Sequence, residues 1–218
     1  MSALRLDGVT LDIDGKVLFQ PLSFSVEPGN VTSVVGPSGS GKSSLLAYLC
    51  GILPKEIQGR GAVYAGDKPL TDLATEQRAL GLLFQDSLLF PHLSVGGNLL
   101  FGLRAKQSRA ARRQRVNEAL ASVGLEGFAD RDPATLSGGQ KSRVALLRVL
   151  LAEPRALLLD EPFSALDDDS RARVRSLVFA EAQRLGLPTL LVTHDMEDVA
   201  AAGGDVIELR HPQDKQGI

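Results

Sequence analysis

Hydrophobic positions change period along the chain. Between Ala3 and Val9, Leu4, Leu6 and Val9 are interleaved with polar residues, and Lys16–Val26 carries Val17, Phe19, Leu22, Phe24 and Val26 in a similar rhythm. Both stretches predict half-buried strands. Pro28-Gly29 marks a turn, Val31–Val35 reads as a short β-branched strand closed by Gly36, and a helix beginning near Gly41 carries Leu45, Leu46 and Leu49. Ala62–Tyr64 and Leu80–Phe84 read as further strands. The beat then lengthens. Ser94–Leu103, Ser108–Val123 and Ser137–Ala152 are helical patterns, with Val116, Leu120 and Val123 on one face. The last third alternates: strand Ala156–Asp160, helix from Asp168 to Leu185, strand Thr189–Val192, a short helix after His194, and strand Val206–Leu209. Such alternation predicts an α/β fold built on a parallel sheet with crossover helices. The predicted organisation is one domain over 1–218. Residues 1–86 and 153–210 form its core, which includes an N-terminal antiparallel β subdomain. Residues 87–152 form an inserted helical subdomain, and 211–218 a polar tail.

Composition narrows the function classes. Of the 218 residues, 44% are hydrophobic and 23% charged, as in ordinary globular chains. A formal net charge of −2 provides no global field for nucleic acid. The single Cys50 excludes an internal disulfide framework and fits a reducing compartment. No apolar run approaches the ~18 residues of a spanning helix, and the N-terminus lacks the apolar stretch of a secretory signal. A soluble chain is expected, with any membrane role acting through a partner.

Gly36-Pro37-Ser38-Gly39-Ser40-Gly41-Lys42-Ser43 fits the phosphate-loop pattern G-x-x-x-x-G-K-[ST] between a strand and a helix. Glycines let successive N–H groups point at phosphate oxygens, and the helix N-terminus adds partial positive charge. Lys42 can reach the β and γ phosphates, and the Ser43 hydroxyl can ligate Mg²⁺. By itself the loop indicates only a nucleoside triphosphate. Ala156-Leu157-Leu158-Leu159-Asp160-Glu161 is an apolar strand ending in two acids, which places them at the ligand crevice of such a sheet. Asp160 is suited to hold Mg²⁺, and Glu161 to orient or deprotonate a water. In Leu136-Ser137-Gly138-Gly139-Gln140, Ser137 is a natural helix cap. Capping does not call for two glycines in a first turn, where each costs about 1 kcal/mol relative to alanine.

With these segments in view, the chain resembles the nucleotide-binding subunit of an ATP-binding cassette (ABC) transporter. Gly36–Ser43 is similar to that family's Walker A loop, Ala156–Glu161 to its Walker B strand, and Leu136–Gln140 to its signature motif at every position. Phe84-Gln85 resembles the Q-loop, Ser164-Ala165-Leu166-Asp167 the D-loop and Thr193-His194-Asp195 the H-loop, all in the family's order. The resemblance implies a P-loop NTPase core and a homodimer with nucleotide at its interface. In such a dimer each ATP lies between one copy's phosphate loop, Gly36 to Ser44, and the other's Ser137, Gly138, Gly139 and Gln140. It implies Mg²⁺ held by Ser43, Gln85 and Asp160, and catalysis by Glu161, His194 and Gln85. It further implies ATP hydrolysis that powers an importer through a transmembrane permease subunit, with a separate solute-binding protein and no nucleic acid. The chain is then expected as a peripheral protein on the cytoplasmic face of the membrane.

The alternatives are a soluble non-transport ABC ATPase and a small-molecule kinase or GTPase. The former commonly fuses two cassettes or inserts long coiled coils. Against the latter, the chain has no Asn-Lys-x-Asp tetrapeptide for guanine, and a kinase has no need of Leu136–Gln140.

Several residues carry ordinary readings. His92 and His211 have no second ligand at metal spacing, and Cys50 reads as core filler. Arg104–Arg115 carries six basic residues without interleaved aromatics, a solvated helix face or else a surface for an acidic partner. Phe90-Pro91-His92-Leu93-Ser94 reads either as core packing or as a partner site. One departure from the resemblance is specific. Where the family carries an aromatic residue that stacks on adenine, Leu11-Asp12-Ile13-Asp14-Gly15 offers only Ile13. An aliphatic side chain gives up an aromatic stacking contribution of roughly 0.5–1.5 kcal/mol. The expectation is weaker or less base-selective nucleotide binding, and Ile13→Tyr should tighten ATP binding by roughly two- to tenfold relative to the parent. Titration of both nucleotides against parent and variant checks this, and no gain would exclude Ile13 from the base site.

Overall fold

The computed structural model describes residues 1–103 and 108–210. These fold as two compact units, Met1–Leu82 with Arg155–Glu161 and the chain after Glu181, and Leu83–Pro154 with Pro162–Ala180.

The first unit holds two sheets. One is antiparallel: β1 (Leu4–Ile13) pairs with β2 (Lys16–Val17), β3 (Leu22–Val26) and β5 (Ile57–Ala65), and β5 pairs with β6 (Lys68–Pro69). The expected single run over Lys16–Val26 is broken between Val17 and Leu22, where Pro21 precedes the second strand and Phe19 turns fully inward. Along β1 the buried residues are Leu4 and Leu6, then Val9 and Leu11. The change of parity is a bulge: the register with β5 shifts between Asp7 and Thr10, and Gly8 and Gly61 both have positive φ. A Cβ on Gly61 would lie 2.5 Å from the Gly8 carbonyl oxygen, so only glycine fits there.

The second sheet has strand order β10-β4-β9-β8-β7, formed by β10 (Val206–Glu208), β4 (Val31–Val35), β9 (Thr189–Val192), β8 (Ala156–Asp160) and β7 (Leu80–Leu83). The β10–β4, β4–β9 and β9–β8 pairings are parallel. Ala156 to Leu159 are all fully buried, which is why this strand is continuously apolar rather than alternating. Helix α1 (Lys42–Cys50) buries Leu45, Leu46 and Leu49 in the same core as both sheets. Cys50 lies there too, and burial pushes its thiol up to about 11, leaving it an inert core residue.

The second unit is helical. Helices α3 (Val95–Gly102), α4 (Arg109–Ser122) and α5 (Gly138–Leu150) enclose Leu99, Val116, Leu120, Val144 and Leu147. Pro162–Ala180, expected with the core, belongs instead to this unit; it includes most of α6 (Asp168–Arg184). Phe163 packs edge-on against Phe179, and Ser170 lies against Gly139 of α5. The basic face of α4 is partly spent on local bonds: Arg112 donates to the Leu100 carbonyl, and Arg115 pairs with Glu153 at 2.6 Å. Residues 104–107 of the basic run, and His211 with the polar tail, lie outside the described residues.

Periodicity missed α2 (Thr75–Arg78), a single turn whose last residue is buried. The Arg78 guanidinium caps the C-terminus of α1. Nη1 donates to the carbonyls of Tyr48 (2.7 Å) and Leu49 (2.8 Å), Nε to Leu73 (3.0 Å) and Nη2 to Thr71 (2.5 Å). Gly51, the left-handed residue ending α1, makes room: a Cβ there would lie 2.8 Å from Arg78 Nε. Charge-assisted bonds to carbonyls otherwise left orphaned at a helix end stabilise this junction. Arg78→Gln is expected to lower stability by about 2–4 kcal/mol in urea unfolding, since several buried acceptors lose their donor. A loss under about 1 kcal/mol would mean that water replaces the guanidinium.

Candidate functional site

In the first unit the site is built at the C-terminal edge of the parallel sheet. Val34 pairs with Val192, and Val192 with Asp160, so β4, β9 and β8 end at one level. Ligands of such sheets bind beyond this edge.

After Val35 the chain forms the glycine loop and enters α1. Gly39 (φ 79°) and Gly41 (φ 92°) are left-handed, a conformation that lets the backbone fold around a small anion. A Cβ on Gly41 would also press on Phe19 at 3.1 Å. No side chain caps α1, so its first-turn amides remain open for an anion. Lys42 is buried, and its Nζ donates to the carbonyls of Gly36 (2.8 Å) and Pro37 (2.9 Å), which holds the ammonium inside the loop. The buried Ser40 Oγ finds no partner among the described residues, an orphaned polar atom that fits a phosphate-binding cradle. Pro37 and Ser38 are exposed at the rim, and Ser44 is half-buried on α1.

Ser43 Oγ donates to Asp160 Oδ1 at 2.9 Å, joining the loop helix to the end of β8. Burial raises the Asp160 pKa, assisted by the neighbouring Glu161 charge and opposed by the Ser43 bond and by Lys42. Glu161, immediately after the strand, is left-handed (φ 44°), an unfavourable conformation for a residue with a Cβ. Its amide donates to the Val192 carbonyl, and its Oε1 lies 3.1 Å from His194 Nδ1. His194 is exposed on the turn from β9 to α7 (Met196–Ala202). Beside it the buried Thr193 Oγ1 accepts from the Asp195 amide, and Asp195 caps α7. The structure thus brings Lys42, Ser43, Asp160, Glu161 and His194 together in one unit. Strain at Glu161 and desolvation at Asp160 both mark a site that folding alone does not favour. Ile13 is half-buried at the end of β1, opposite Lys16 and Ile57, next to the left-handed Asp14-Gly15 turn.

Gln85 and Leu136–Gln140 belong to the second unit. Gln85 is exposed just beyond β7. Ser137 and Gln140 form a reciprocal capping box on α5, with Ser137 Oγ accepting the Gln140 amide and Gln140 Oε1 accepting the Ser137 amide. A Cβ on Gly139 would meet Ser170 at 3.2 Å, a tight approach, whereas one on Gly138 would make only an ordinary 3.4 Å contact with Leu166. Packing therefore accounts for Gly139, while the exposed Gly138 is not demanded by the fold. Asp167 caps α6 through the Ser170 amide, a bond that lowers its pKa.

Asn98 was invisible to sequence reasoning. Fully buried on α3, it accepts from the Phe90 amide and donates to the carbonyls of Phe90 and Ser94, fixing the Phe90–Ser94 turn. Both readings of that turn find support: Phe90 and Leu93 are half-buried, whereas Phe101, edge-on to Phe90 at 4.8 Å, is 70% exposed.

The chain is similar to known proteins. A family profile described as ABC transporter matches residues 19–164. The chain is 47% identical over 198 residues to the Escherichia coli ABC transporter ATP-binding protein YnjD, covering 91% of each. It is 42% identical to a Salmonella paratyphi A protein named as a putative 2-aminoethylphosphonate import ATP-binding protein, PhnT. It is 38% identical to an Agrobacterium fabrum protein named as a sulfate/thiosulfate import ATP-binding protein, CysA 2. It spans 53% and 60% of those two relatives' lengths. The solved dimeric structure of MJ0796, a bacterial ABC transporter cassette, superposes with a TM-score of 0.77 at 30% identity over 94% of both chains.

The sign of the Asp160 shift sets a stability expectation. A raised carboxyl pKa contributes stability below the ordinary aspartate range and loses it as pH rises through the shifted value. At neutral pH the ionised Asp160 is therefore a burden on the nucleotide-free protein. Asp160→Asn is expected to melt about 1–3 °C above the parent at pH 7.5, with the difference vanishing towards pH 4. A lower melting temperature at neutral pH would show that the Ser43 bond outweighs desolvation.

Proposed function

The chain belongs to the ABC transporter ATP-binding family and is an ATPase, and from that premise we propose that it binds and hydrolyses MgATP to drive import through a separate permease. The observation that carries this reading is the joined cluster of Lys42, Ser43, Asp160, Glu161 and His194 at one sheet edge. The open amides of α1 and Lys42 bind the phosphates. Ser43 and Asp160, with Gln85 by the family likeness, present hard oxygens to Mg²⁺, which when bound neutralises phosphate charge. Among the described residues no three His, Cys, Asp or Glu gather as a metal site, so most ligands of such a cation would come from phosphate and water. Glu161 orients the attacking water and accepts its proton, and His194 Nδ1 holds that carboxylate in place.

The second half of each site comes from another copy. Exposed Ser137 and Gly138 at the tip of α5 would meet the γ-phosphate of a facing protomer, with Gly139 and Gln140 shaping that tip. The absence of an internal demand for Gly138 supports this reading. Import is favoured by the names of PhnT and CysA 2. Among the described residues no helix is long and apolar enough to cross a membrane. By the family likeness the permease would be a separate subunit, and a solute-binding protein would deliver cargo to it. The exposed Phe84, Leu88 and Phe101 offer that permease an apolar docking face, with the chain peripheral on the cytoplasmic side.

Glu161→Gln tests the assignment. It should retain ATP binding, lose hydrolysis by roughly 10²-fold or more, and elute as a dimer with Mg-free ATP in size-exclusion chromatography. Turnover at the parental rate would remove Glu161 from the mechanism, and a monomer at saturating ATP would remove the nucleotide sandwich.

A further inference from the structure

The short segment that follows Gln85 is strained, and its strain is not a by-product of core packing. Leu88 is left-handed (φ 43°) yet 54% exposed. A non-glycine residue in that conformation costs about 1–3 kcal/mol and persists only where surrounding bonds hold it. Those bonds come from Arg148, on the α5 helix. Nη1 donates to the Leu88 carbonyl at 2.7 Å and Nη2 to the Ser87 carbonyl at 3.1 Å, a fork across two consecutive peptides. The same guanidinium lies 5.3 Å over the Phe90 ring.

The Arg148 backbone is itself fixed. Gly102 of α3 comes so close to its carbonyl oxygen that a Cβ would collide with it. Beyond the fork, buried Asn98 holds the Phe90–Ser94 turn independently. Between Gln85 and that turn, Arg148 holds the Ser87 and Leu88 carbonyls and Leu89 packs against the helical core. The residue is half-buried, and desolvation lowers its pKa. Keeping a charge partly desolvated, with backbone carbonyls as its acceptors, is reasonable only if the geometry it enforces matters.

We propose that Arg148 is a positioning residue: its fork on Ser87 and Leu88 ties the chain that carries Gln85 to the helix whose tip carries Ser137 and Gly138. One rigid helix would then set both the metal- and water-facing glutamine of its own site and the tip offered to the facing site. The inference rests on the nucleotide-sandwich reading for its second half only.

Arg148→Gln, Arg148→Lys, Leu88→Gly and the Arg148→Gln/Leu88→Gly double variant test it in the full chain. Arg148→Gln should lower kcat roughly ten- to hundredfold, as expected for misplacement of a catalytic group by about 1 Å. Binding of a fluorescent ATP analogue, which reports the phosphate loop, should stay within about twofold. Leu88→Gly, which frees the strained backbone, should lower kcat in the same direction, and the double variant should be no worse than the weaker single. Arg148→Lys keeps the charge but not the fork, so it should remain at least roughly threefold down. An unchanged kcat in Arg148→Gln, full rescue by lysine, additive losses, or a parallel fall in nucleotide binding and melting temperature would each overturn the proposal. If Arg148→Gln does not fold, an unchanged kcat in Leu88→Gly overturns it and a lowered one supports it. A Glu161→Gln variant that forms no dimer would count against the sandwich, while the split between kcat and nucleotide binding still judges the fork.

Discussion

An anion cradle made of backbone amides requires a helix whose first turn is left open, and much of the first unit follows from that requirement. Helices α3, α4, α5 and α7 each start with a serine or aspartate side chain that accepts a first-turn amide. Helix α1 starts with Gly41 and has none, which forgoes about 1 kcal/mol of capping. Its stability comes from elsewhere. Leu45, Leu46 and Leu49 are buried, and the opposite end is closed by the Arg78 fork and the Gly51 turn. A cation at the C-terminus complements the helix dipole, as an anion would at the N-terminus. The end proposed to hold ligand is left without a side-chain cap, while the opposite end is satisfied several times over.

The acids at the end of β8 repeat this logic with opposite sign. Asp160 is desolvated and Glu161 is bent into a left-handed conformation, so both store unfavourable energy in the nucleotide-free state. The rigid strands beneath them make that possible. Four fully buried residues, Ala156 to Leu159, and in-register neighbours on β9 leave the strand end no freedom to relax. Under the proposed function, binding of a cation and phosphates would relieve what folding imposed, giving the nucleotide a share in the stability of the site.

What could be read from the residues alone was whatever depends on local pattern. Apolar runs located β8 and β9, β-branched residues located β4, glycine spacing located the loop, and serines before apolar periods located the starts of α3, α4 and α5. Leu4, Leu6 and Val9 already carried the parity change of the bulge, although only the pairing with Gly61 explains it. The residues that escaped notice were Arg78, Asn98 and Arg148. Each is a polar side chain whose partners are backbone carbonyls or amides, as near as Ser94 for Asn98 and as far as Ser87 for Arg148. A carbonyl carries no residue identity, so no spacing rule announces it. A buried arginine meanwhile looks like any solvated charge on a helix.

The Leu136–Gln140 segment shows how folding and function divide a motif between them. Ser137 and Gln140 complete a capping box, and Gly139 admits α6. Leu136 is buried with the helical core. Four of the five residues would thus be chosen by a protein that only needed to start this helix here. Gly138 alone has room for a side chain and weakens the helix without one. A residue that the fold would rather replace, exposed at a helix tip beside a serine, is where an outside ligand leaves its mark on the sequence. The same criterion applied in the first unit selects Glu161, which a glycine would relieve, and Asp160, which an asparagine would relieve. Conformational or electrostatic penalty, more than residue type, is what Gly138, Glu161 and Asp160 have in common.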